Sequence, residues 1–71
     1  MVGEMDEIKT WCVNYTYHTK EEKFMTNSMM VPAVTIAEAI NVADAIINEE
    51  FESHRWSDYL VVNAFLVKEV H

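Results

Sequence analysis

One cysteine, one glycine and one proline in 71 residues leave this chain without several common devices, and each scarcity closes off a class of protein. Cys12 alone makes no internal disulfide, so the fold is not a stapled secreted mini-domain. A single free thiol suits a reducing compartment, which sets the expectation of a cytoplasmic protein. The only glycine, Gly3, stands ahead of the first patterned segment, so no glycine-rich loop exists to cradle a phosphate at a helix start. Basic residues are also scarce: five Lys and Arg against twelve Asp and Glu, for a formal charge of −7. Lys9, Lys20, Lys23, Arg55 and Lys68 are scattered, and a partner held through its phosphates needs clustered cations. Nucleic acid and anionic membrane surfaces are therefore disfavoured. No apolar run approaches the roughly 18 residues that span a bilayer. The acidic opening Met1-Val2-Gly3-Glu4-Met5-Asp6-Glu7 lacks the apolar centre of a signal peptide and reads as a frayed lead-in.

What the chain has in quantity is hydrophobic surface, at 51% of its residues. Such a length makes one domain (1–71) with little interior. The segment Ile8–His18 is rich in β-branched and aromatic residues and alternates cleanly. Trp11, Val13, Tyr15 and Tyr17 share one face; Thr10, Cys12, Asn14, Thr16 and His18 share the other. Residues 19–23 are polar and lack glycine, which predicts a four- or five-residue loop built on a type I turn. Phe24–Val31 reads as a second strand, ended or held at an edge by Pro32. Thr35 followed by Glu38 is a capping box, opening a helix over about 35–53 with Ile36, Ala39, Ile40, Ala43, Ile46, Ile47 and Phe51 on one side. His54 and Arg55 close it near the negative end of the helix dipole.

Trp56–Val67 is the last strand. Strict alternation places Leu60, Val62, Ala64 and Leu66 on one face and Tyr59, Val61, Asn63, Phe65 and Val67 on the other, so both faces are apolar. A β-β-α-β order resolves most simply as an α+β fold: a three-stranded antiparallel sheet of order 2-1-3 with the helix packed on one face. A strand apolar on both sides expects cover on both. The helix supplies one; a second copy of the chain or another protein is expected to supply the other. The residues assigned to that oligomer or partner interface are Tyr59, Val61, Phe65, Val67, Trp11 and Tyr15, because Tyr and Trp bury much area while keeping a polar handle.

No constellation here carries chemistry. Cys12 and His18 share a face but stand roughly 20 Å apart by strand rise, so they form no nucleophile–base pair. The histidines and cysteine lack the close pairing of zinc ligands. Glu21-Glu22 and Glu49-Glu50 read as solvated carboxylates without the burial that tunes a general acid. The expectation is a non-enzymatic protein with no cofactor and no metal. Two further surfaces merit naming. Glu38, Asp44, Glu49 and Glu52 make an acidic helix side able to meet a basic groove on another protein, and otherwise simply solvated. Arg55 and Trp56, an adjacent cation and large aromatic, are the contacts a small ligand such as a nucleotide signal would use.

The short acidic chain, its lack of motifs and its hairpin–helix–strand order resemble small bacteriophage accessory proteins, among them host-defence inhibitors such as some anti-CRISPR proteins, and the segment Val34-Thr35-Ile36-Ala37-Glu38-Ala39-Ile40, a strand exit into a T-x-x-E-A helix start, is similar to segments of uncharacterised phage and bacterial families. That resemblance implies an inhibitor that binds a host or partner protein in the host cytoplasm. It carries no functional residue across. The alternative expectation is a small-ligand binder with a site between subunits.

Overall fold

A computed structural model describes residues 7–67. It holds strand β1 (Lys9–His18), strand β2 (Phe24–Ala33), helix α1 (Ile36–His54) and strand β3 (Asp58–Leu66). The expected frayed lead-in falls, but for Glu7, outside the described residues. The sheet has the order β2-β1-β3, and both pairings are antiparallel. The fold is therefore the expected α+β arrangement, with the richest strand pattern in the centre.

Local chemistry sets the boundaries. In the β1–β2 connection the Glu22 amide donates to the Thr19 carbonyl at 2.8 Å and the Thr19 amide to the Lys23 carbonyl at 2.9 Å. Glu22 takes φ of 67° there, a left-handed residue that lets the five-residue connection close without glycine. Strand β2 runs past Pro32 to Ala33. A proline is tolerated there because β2 is an edge strand, and its missing N–H interrupts no inner ladder.

The helix begins one residue later than the pattern suggests because Thr35 is its cap. Thr35 Oγ1 accepts from the Glu38 amide at 3.2 Å, and Glu38 Oε1 accepts from the Val34 amide at 2.8 Å. Two otherwise orphaned donors are thereby satisfied. Thr35→Ala is expected to cost about 1 kcal/mol and to lower the thermal midpoint by roughly 4–8 °C; an unchanged midpoint in a calorimetric scan would show the cap to be idle. At the other end Arg55 adopts the left-handed conformation and the Trp56 amide donates to the Phe51 carbonyl at 3.0 Å. That closure turns the chain back toward β3.

The core lies between the helix and one sheet face. Val13 and Tyr15 of β1, Val31 and Ala33 of β2, and Ala39, Ala43 and Ile47 of the helix form it. Ala39, Ala43 and Ile47 recur every four residues, one stripe of the helix. Trp11, Tyr17, Met29, Trp56, Tyr59, Val61 and Ala64 pack around this centre. No helix is long and apolar enough to cross a membrane among the described residues.

Candidate functional site

Strand β3 does not alternate strictly. Tyr15 pairs with Val61 while Asn14 pairs with Asn63, so Val62 is an extra residue in the ladder. A bulge of this kind reverses the sense of alternation beyond it. Tyr59 and Val61 precede it and lie under the helix; Ala64, opposite Val13, lies under the helix as well. Leu60, Asn63 and Phe65, opposite Thr16, Asn14 and Cys12, stand on the other face.

The six residues expected to share one interface are thus divided. Trp11, Tyr15, Tyr59 and Val61 pack on the helix side as core or its margin. Trp11 donates its indole N–H to the Ala33 carbonyl at 2.9 Å. Phe65 alone of the six is assigned by register to the helix-free face, and the Val67 amide, just beyond the strand, donates to the Thr10 carbonyl at 3.0 Å. The signal that could have located the bulge was Asn63, a polar residue that strict alternation sets in an apolar row. Across the bulge its side chain meets Asn14, whose Nδ2 donates to Asn63 Oδ1 at 2.8 Å.

The face left without a helix can now be read across the register. On β2 it carries Phe24, Thr26, Ser28, Met30 and Pro32; on β1 Thr10, Cys12, Asn14, Thr16 and His18; on β3 Asp58, Leu60, Asn63 and Phe65. Leu60 and Met30 are each 64% exposed, Phe24 60%, and Val62 at the bulge 53%. Cys12 is buried all the same, in the central strand between Met30 and Phe65. A polar belt crosses the middle, and beside it Asn14, Thr16, Thr26, Ser28 and Val62 line an open groove of about 400 Å³. At one end His18 Nδ1 and Asp58 Oδ1 lie 2.7 Å apart, with the His18 ring 5.3 Å from that of Phe24.

The other sequence candidates fall elsewhere. Glu38 is occupied by its capping bonds. Asp44 accepts from the Tyr59 hydroxyl at 3.2 Å, on the flank of the helix nearest β3. Glu49 and Glu52 are exposed. Glu38, Glu49 and Glu52 fall within about 60° of one another around the helix axis, and Asp44 stands apart from them toward β3. Arg55 is exposed, whereas Trp56 stacks on Tyr17 with ring centroids 3.7 Å apart and an interplanar angle of 13°. His54 stacks less closely on the same indole, at 6.0 Å. Both neighbours occupy the ring that a ligand would need. The groove lies on the opposite side of the sheet. Among the described residues no three His, Cys, Asp or Glu side chains gather to hold a metal ion.

Two tyrosines carry shifted acidities. Burial, with Asp44 and Glu52 nearby, pushes Tyr59 above its ordinary value of 10.0. Burial likewise raises Tyr15, partly offset by the Asn27 side chain and reinforced by Tyr17 and Glu50. A phenol that ionises later in the folded state leaves stability intact below pH 10 and removes it as pH climbs through the folded value. Alkaline titration by ultraviolet absorbance should therefore show two phenols ionising late, with the urea midpoint falling above pH 10. A midpoint that rises in that range would contradict the assignment.

No protein-family model matches the chain, and no curated protein or solved structure does so either.

Proposed function

We propose that this is a non-enzymatic interaction protein that works by surface contact, with the helix-free face of the sheet as the contact surface. The observation that carries the reading is the composition of that face. Leu60, Met30, Phe24, Val62 and Phe65 are each more than half exposed, and Asp58 is the only carboxylate assigned to the face among the described residues. Five large apolar side chains exposed around an uncharged polar belt are well suited to burial against another protein. Occupying a partner's surface is also the simplest form of inhibition, the activity implied by the likeness in size, charge and element order to phage-type inhibitors. Fold alone assigns no partner.

A second reading, small-ligand binding, is favoured by the groove beside Asn14, Thr16, Thr26 and Ser28. Its lining of hydroxyls and amides suits a neutral polar molecule better than a nucleotide, because none of its lining residues is a cation.

The test is affinity capture with the tagged full chain in three forms: parent, Leu60→Glu and Glu49→Lys. The contact reading expects a protein retained by the parent and by Glu49→Lys and lost by Leu60→Glu. Capture that depends on Glu49 and ignores Leu60 would move the contact to the helix and overturn the assignment.

A further inference from the structure

We infer that the helix-free face is covered by a second copy of this chain, the two sheets packing face to face in a four-layer α/β/β/α dimer. This rests on the contact reading above and names its first occupant. The argument begins with the distribution of charge. The chain carries −7, yet among the described residues its carboxylates stand on the helix, in the β1–β2 turn and ahead of β1, apart from Asp58. Asp58 is paired with His18 at the end of the sheet. No Lys or Arg belongs to the face either. A basic partner would seek the helix side and an anionic membrane would find no cation here. A neutral face is complementary to another neutral face, and its own copy is the partner guaranteed to have one.

Like charge would oppose self-association in most other poses. Face to face, the sheets stand ~10 Å apart and the two acidic helices lie on opposite outer surfaces, well beyond the Debye length of ~8 Å at physiological salt. Pairing through the edge of β2 or β3 would avoid repulsion too, but it would leave Leu60, Met30 and Phe65 in water.

The face is also self-complementary. Asn14 sits near the middle of β1, the central strand, so a two-fold axis through the centre of the face brings the polar belt against itself. Asn14 and Asn63 bond each other through one donor and one acceptor, leaving a further amide donor on Asn63 for the facing belt. The apolar side chains lie to either side of the belt.

The area places the interface in a size class. Three strands ~4.8 Å apart and ten residues long at ~3.3 Å each give a footprint of ~450 Å² per copy in projection. With side-chain relief the total buried comes to about 1,000 Å², at the low end for a specific interface. An interface of that size suits a reversible dimer, whose population rises with concentration.

Light scattering coupled to size exclusion over ~1–500 µM, a span suited to the transient contacts that small interfaces make, tests this on the full chain. The parent should rise from the monomer mass of 8.3 kDa to twice that value as concentration increases. Leu60→Glu and Met30→Glu, on different strands and each replacing a side chain 64% exposed, should hold the monomer mass throughout while keeping the parent's circular dichroism. Glu49→Lys should dimerise like the parent. A parent that stays monomeric at the top concentration overturns the dimer, as does either face variant that folds and still dimerises like the parent. Should a monomeric parent still capture another protein in a Leu60-dependent way, the contact reading stands and only its occupant changes. Loss of both results removes the two together.

Discussion

Ile47→Ala should lower the stability of this chain by ~2–5 kcal/mol, whereas Ile46→Ala, the same chemistry one residue earlier, should change it by no more than ~0.5 kcal/mol. Ile47 is fully buried and Ile46 is 44% exposed. Ile47 ends the stripe Ala39, Ala43, Ile47 that lies on Val13, Tyr15 and Val31. The two alanines bring the helix backbone close to the sheet, so little slack remains to fill the space that a lost isoleucine leaves. A domain of this length holds only ~4–10 kcal/mol in total, so the loss consumes a large part of it. The urea midpoint should fall by ~2 M or more, given a slope of ~1 kcal/mol per M for a small domain. Equal midpoints for the two alanine variants would mean that the helix is rotated from the face described here.

The contrast between Ile46 and Ile47 shows how far the sequence reaches. A 3.6-residue pattern places Ile36, Ala39, Ile40, Ala43, Ile46, Ile47 and Phe51 on one side of the helix, and the helix does sit on the sheet that way. The pattern is wider than the contact. Only Ala39, Ala43 and Ile47 are fully enclosed, because a three-stranded sheet is too narrow to cover a stripe of seven residues. Ile36 and Ile46 are left partly in solvent. Composition cannot show that limit; it follows from the width of the opposing layer.

Strand order and the partition of β1 were legible for a related reason. Alternation in β1 is unbroken, and its apolar row Trp11, Val13, Tyr15, Tyr17 meets the helix. Strand β3 was not legible in the same way. Its sequence is apolar at nearly every position, so the alternating pattern has no contrast with which to fix a face, and one extra residue at Val62 exchanges the assignments of everything after it. The interface forecast failed to hold together at that point. It joined Phe65 to Tyr59 and Val61 across a bulge that separates them. The broader expectation, that one face of the sheet is too apolar to stay wet, does not depend on that grouping. The helix-free face exposes Leu60, Met30 and Phe24, and none of the three belongs to the forecast six.

Trp56→Ala separates a structural aromatic from a ligand contact. Trp56 is half-buried and stacks on Tyr17 at a centroid distance of 3.7 Å, while Tyr17 itself lies 6.0 Å from Tyr15 in the core. The indole therefore closes the end of the core that the helix leaves open where it turns into β3. Truncation of a buried tryptophan typically costs ~3–5 kcal/mol; partial exposure brings the expected loss here nearer ~2–3 kcal/mol, part of it from stacking worth ~0.5–1.5 kcal/mol. Chemical denaturation followed by circular dichroism reads this directly, and Trp56→Phe should recover much of it because a smaller ring can still stack on Tyr17. Arg55→Ala, at the exposed neighbour, provides the comparison. If Trp56 and Arg55 served a ligand, both substitutions would spare stability and the pair would behave alike. The stacked geometry demands the opposite, a large loss at Trp56 and a small change at Arg55.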